Sequence, residues 1–220
     1  MARTKLIKFR DNAITENVLE PGKPLFEKIR GLWRVEMFGN DHPIVLELAC
    51  GMGEYSVGLA KNFPEKNFIG VDIKGSRLWS GSNNSRLLGL RNTAFLRTKI
   101  QSIDKFFNED EVDEIWIIFP DPRPRTKEAR KRLTHPRFLN MYKYIMKSGG
   151  WVHFKTDNGP LFDFSLEVLQ NRDDVEDLTF TYDLYSSHFL KDHFDITTKY
   201  EQIHSAEGNT IKYLKFRLVK

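Results

Sequence analysis

Ile44-Val45-Leu46-Glu47-Leu48-Ala49-Cys50-Gly51-Met52-Gly53 decides the fold of this 220-residue chain. Four of its first five residues are large and aliphatic, a short run suited to a strand covered on both faces. The glycines that follow permit a tight turn, because neither carries a Cβ. Helix-like spacing resumes at once over residues 55–62. Apolar runs recur at 68–72, 94–96, 115–119 and 151–154, separated by helix-like spacing over 77–90, 136–146 and 161–170. Such alternation predicts right-handed crossovers, a mostly parallel sheet and helices on both faces.

Beyond Gln170 the period changes. Residues 178–182 and 211–218 alternate apolar with polar, which predicts an antiparallel hairpin closing a seven-stranded sheet. The connection over 186–209 shows no pattern of its own and reads as a substrate loop. Residues 1–24 are polar, basic at the start (Arg3, Lys5, Lys8, Arg10), and end in Pro21-Gly22-Lys23-Pro24. They predict a flexible basic arm before a single domain over 25–220.

Composition narrows the function. One cysteine, Cys50, excludes an internal disulfide, and six histidines without paired ligand spacing give no metal site. The first thirty residues contain no apolar signal-peptide core, and no run approaches the roughly 20 apolar residues a bilayer needs. A cytoplasmic protein is expected. Net charge is +4, yet 121–137 alone carries seven Lys/Arg against two acids, leaving the rest about neutral. Positive charge concentrated on one loop suits a polyanion, whose neutralised phosphates release counterions.

In an open α/β sheet, ligands bind outside the carboxyl ends of the strands. There the first strand presents Glu47, Gly51 and Gly53. The second ends in Asp72, nineteen residues after Gly53, where a carboxylate can accept from both hydroxyls of a ribose. That spacing also suits a nicotinamide dinucleotide. Ser56 in place of a third glycine, an acid before the turn and the closing hairpin favour a cationic sulfonium donor, which acids attract and which a pyrophosphate site would not suit. The fourth strand ends in Phe119-Pro120-Asp121-Pro122, two prolines fixing an acid at a corner, and the basic run begins immediately after it. That juxtaposition reads as a base pocket bordered by phosphate contacts.

From about Val45 to the C-terminus the chain resembles the bacterial tRNA (guanine-N7)-methyltransferases. The likeness rests on Leu46-Glu47-Leu48 leading to Gly51-Met52-Gly53, on Phe119-Pro120-Asp121-Pro122, on Thr156-Asp157, and on Thr198-Lys199-Tyr200-Glu201. It implies a Rossmann-like class I methyltransferase fold and transfer of a methyl group from S-adenosylmethionine, leaving S-adenosylhomocysteine, to N7 of guanosine 46 in the tRNA variable loop. By the same resemblance Glu47 and Asp72 contact the donor, and catalytic Asp121 stands where donor and acceptor meet. Arg125, Asp157 and the stretch from Thr198 to Glu201 contact tRNA. Arg123 and Lys127, with Arg125, are expected to hold phosphates. The chain departs from the family pattern at Ala49, at Arg123 and Arg125, and at Lys99-Ile100, where an acid usually meets the adenine. Two other readings remain at this stage: a methyltransferase for a small molecule or protein, and an RNA-binding protein on a degenerate methyltransferase fold.

Overall fold

The computed structural model describes residues 2–220, with side chains from Leu6 onward. Strand β2 (Ile44–Leu48) is buried at all five positions and β3 (Asn67–Asp72) at all six, as strands sandwiched between helix layers must be. The crossovers are α2 (Glu54–Asn62) and α3 (Gly75–Leu87), followed by β4 (Thr93–Arg97), β5 (Val112–Ile118), α4 (Pro136–Ile145), β6 (Met146–Thr156) and α5 (Gly159–Gln170). Pro136 and Pro160 stand in first helical turns, where a missing amide costs nothing. The chain closes with β7 (Val175–Thr181), α6 (Lys199–Ala206) and β8 (Lys212–Leu218).

Among the described residues the strands form one sheet in the order β1-β4-β3-β2-β5-β6-β8-β7, where β1 is Val18–Leu19. β2 pairs in parallel with both β3 and β5, so the order reverses there and a crevice opens above its carboxyl end. β8 runs antiparallel between β6 and β7, the expected hairpin. The main core packs Leu46, Leu48, Ile69, Val71, Ile115 and Ile117 on one face against Phe138, Tyr142, Phe162 and Leu166 from α4 and α5.

Three expectations are corrected. The sheet has eight strands, not seven, because Val18 and Leu19 pair with Phe95 and Leu96 at its edge. A two-residue strand is too short to show any period. The segment expected as a flexible arm is folded onto the domain. Helix α1 (Ala2–Ile14) lies along α3, with Asn12 Nδ2 donating to Gly75 O and Trp79 Nε1 donating to Asp11. Lys8 stands 4.4 Å over the Trp79 ring, while the side chains of Arg3 and Lys5 lie outside the described residues. Lys23 Nζ donates to the carbonyls of Thr15 and Val18, tying together the two ends of the segment around β1. Lastly, the connection over 186–209 has structure of its own, a 3₁₀ turn at His188–His193 and then α6. Its signal was the capping-box spacing Thr198-x-x-Glu201. No helix among the described residues is long and apolar enough to cross a membrane.

Candidate functional site

Above the carboxyl ends of β2, β3, β4 and β5 lie two adjoining cavities that share Ala49 and Arg77. The larger, about 680 Å³, is lined by Asp72, Lys74, Thr98, Lys99, Ile100, Asp121 and Arg123, among others. The smaller, about 270 Å³, is lined by Glu47, Gly51, Glu54, Phe119, Thr198 and Tyr200, among others. Both open where the strand order reverses.

The turn between them is built on alternate left-handed residues: Ala49 (φ 59°), Gly51 (φ 57°) and Gly53 (φ 70°). Ala49 is the strained member, since its methyl disfavours that region and a glycine would be free there. The two glycines serve different ends. A Cβ on Gly51 would meet nothing within 4 Å, so that face is open to a ligand. A Cβ on Gly53 would come within 2.6 Å of the Phe95 ring, so Gly53 is needed for packing behind the turn.

Asp72 fixes this turn from the next strand. Its Oδ2 accepts from Gly51 N at 3.1 Å and its Oδ1 from Lys74 N at 2.8 Å, which aims the carboxylate along the floor of the larger cavity. Glu47 is 5% exposed, and its Oε2 accepts from both Ser56 N (2.7 Å) and Ser56 Oγ (2.5 Å). Burial pushes its pKa up to about 8. The Ser56 hydrogen bonds oppose that shift, and the neighbouring charges of Glu54 and Asp72 add to it. A buried acid held in this way is mostly protonated at neutral pH.

On the opposite wall Asp121 is exposed and pairs with Arg123 at 3.0 Å. The residues two positions to either side, Phe119 (φ 46°) and Arg123 (φ 47°), are both left-handed. Such non-glycine strain costs on the order of 1–3 kcal/mol per residue and persists where function or packing holds it. Arg132 steadies the loop by donating to Arg123 O, leaving Arg125 and Lys127 exposed beyond the cleft.

Glu47, Gly51, Asp72, Asp121, Arg123 and Thr198 thus meet at one crevice. Asp157 lies beside it, accepting from Tyr200 OH at 3.3 Å. Glu201 does not reach the surface, which corrects its expected contact with RNA. It is fully buried, its Oε1 lies 2.5 Å from Lys155 Nζ and accepts from Tyr185 OH, and its Oε2 accepts from Thr198 N. The structure adds Arg77, Thr98 and Gln101 to the crevice, and of the stretch from Thr198 to Glu201 it places Thr198 and Tyr200 there. Arg77 lies in the first turn of α3, five residues after Asp72, and no local pattern shows that it faces the crevice. His135 caps α4, Trp116 and Cys50 are buried, and Trp79 and Trp151 are partly buried.

The chain matches over residues 41–214 a family described as putative methyltransferases. It is 50% identical over 220 residues to the tRNA (guanine-N(7)-)-methyltransferase of Cytophaga hutchinsonii, covering 100% of this chain and 99% of that protein. The protein of the same name from Bacteroides thetaiotaomicron is 46% identical over 99% of this chain and 87% of its own length. Among solved structures, the 16S rRNA methyltransferase KamB superposes with a TM-score of 0.62 at 14% identity, over 84% of this chain and 92% of that one. An antibiotic-related methyltransferase gives 0.59 at 18% identity over the same shares. At such identities the likeness is one of fold.

Proposed function

This chain belongs to the tRNA (guanine-N7)-methyltransferase family, and from that premise we propose that it methylates N7 of a guanine in tRNA, guanosine 46 of the variable loop, in the cytoplasm and as one methyltransferase domain. The observation that carries the reading is the split character of the crevice, acidic where a cation would lie and bordered by free cations where RNA would lie.

The residues present fit S-adenosylmethionine. Asp72 would accept from the ribose hydroxyls, Glu47 would face the ammonium group, Arg77 would pair with the carboxylate, and the open Cα of Gly51 would allow close approach. Thr98 and the backbone at Lys99-Ile100 would border the adenine, in place of the acid usual in the family. This donor supplies an electrophilic methyl group on a sulfonium. Guanine N7 offers an in-plane lone pair and bears no proton, so the chain has no general base to provide. Its residues align and desolvate. Asp121, at the strained corner, orients the base or the donor's amino group. Asp157 steadies the acceptor side through Tyr200. Arg123, Arg125 and Lys127 hold phosphates.

The test is methyl transfer from labelled donor to unmodified bulk tRNA, followed by reductive aniline cleavage, which cuts at N7-methylguanine. Cleavage within the variable loop is the expected result. Label entering elsewhere would refute the target, and tRNA binding without transfer would favour a binding protein on this fold. For the loop, Arg125→Glu/Lys127→Glu should flatten the dependence of log tRNA affinity on log salt by about two and weaken binding roughly tenfold near physiological salt. An unchanged slope would remove both residues from the interface.

A further inference from the structure

Of the eight residues of α6, Glu201 alone is buried. Short helices are ordinarily held by an apolar stripe, yet this one presents Tyr200, Gln202 and Ile203 to solvent and sends a carboxylate inward. Inside, Glu201 meets Lys155, which is 1% exposed and lies on β6 immediately before the Thr156-Asp157 pair. Lys155 Nζ also donates to Tyr55 OH at 2.8 Å, and that hydroxyl lies 2.8 Å from His193 Nδ1. Tyr55 belongs to the first turn of α2, directly after the donor turn. One lysine therefore joins the donor side, the acceptor-side strand and the closing helix.

The outer end of α6 is tied to the same place. Lys199 N donates to Glu54 Oε1 at 3.0 Å, and Thr198 and Tyr200 line the smaller cavity opposite Glu47. Tyr200 also packs on Phe119, 5.2 Å between ring centres, and reaches Asp157. An apolar contact would hold α6 down without fixing its register. An ion pair with a capping box is directional, and register is the best-attested use of buried charge, which is seldom the most stable choice.

We infer that Lys155 and Glu201 are positioning residues for methyl transfer, their buried pair setting the Thr198–Tyr200 wall against the donor turn and so fixing where the acceptor base stands. The inference rests on the proposed function, because the wall is taken to border the acceptor. It assigns Glu201 no contact with RNA.

The decisive variant is Lys155→Met/Glu201→Met, which replaces the pair by apolar side chains of similar length. The melting temperature should stay within about 5 °C of the parent. kcat should fall about a hundredfold, the scale of an ångström's misplacement, while tRNA Kd moves less than twofold. Amide exchange over α6 should quicken at least tenfold. Glu201→Gln, which keeps the shape and the capping oxygen, provides a milder second test, with kcat down about tenfold and tRNA Kd unchanged. Parental kcat in either folded variant overturns the inference, as does a loss in tRNA affinity matching the loss in turnover. Should the parent itself transfer no methyl group to tRNA, the proposed function fails instead, and slow α6 exchange in the double variant would still overturn the positioning role.

Discussion

Asp121→Ala is expected to lower kcat by roughly a thousandfold while leaving tRNA Kd within about threefold. Asp121 is exposed and lines the larger cavity, so its removal neither opens a cavity in the core nor strips the loop of its cations. Positioning and electrostatic alignment together can supply several kcal/mol of a barrier, and each 1.4 kcal/mol is about tenfold in rate. The flanking backbone supports the assignment. Phe119 and Arg123 hold left-handed conformations that side chains disfavour, and between them Pro120 and Pro122 restrict the backbone that carries the carboxylate. Asp121→Asn should recover less than a tenth of the lost rate if charge matters, and most of it if shape suffices. Steady-state kinetics with a parallel tRNA-binding titration decides. Equal losses in kcat and in tRNA affinity would make Asp121 a binding residue only.

Glu47→Gln should weaken donor binding roughly a hundredfold at pH 8 and, in the same molecule, stabilise the fold at alkaline pH. The sign follows from the direction of the shift. In the folded chain Glu47 releases its proton near pH 8, against 4.5 as the ordinary value, so the folded state binds more protons in the interval. Its contribution is fully present below pH 4.5 and is lost as pH rises through about 8. At pH 9 the ionised carboxylate should cost roughly 3–5 kcal/mol, which glutamine removes while still accepting from Ser56. A donor cation facing Glu47 draws the proton off, so parental donor affinity should rise by up to about tenfold per pH unit between 5 and 8. Melting curves from pH 5 to 9, with donor titrations by calorimetry, read both effects. Parallel melting profiles in parent and variant would show that Glu47 is ionised at neutral pH, and a pH-independent donor Kd would separate it from the cation.

The readable parts of this protein were those whose cause is local. β2, β3 and β5 are continuous apolar runs because both faces are covered, and the helices between them carry their own spacing. Two glycines and an acid within seven residues mark the turn after β2, and Asp72 follows at a distance set by one helix and one strand. Asp121 was visible because proline fixes the backbone on both sides of it. Even so, the sequence could not separate the tasks of Gly51 and Gly53. One faces open space and the other faces Phe95, a neighbour 42 residues further on whose position depends on the sheet.

What only the tertiary structure decided concerns partners distant in sequence. Glu201 sits in a motif beside exposed residues, and its sequence gives no sign that Lys155 lies 2.5 Å away in the interior. Val18 and Leu19 become a strand only because β4 offers an unpaired edge. α1 is held by Gly75 and Trp79, on a helix some sixty residues further along. Periodicity and turn chemistry are written within a dozen neighbouring residues, so the sequence alone set the alternation of strands and helices from β2 to α5, the glycine turn and the basic loop. Burial of charge and closure of a crevice depend on which distant surfaces meet, and that is settled only when the sheet is assembled.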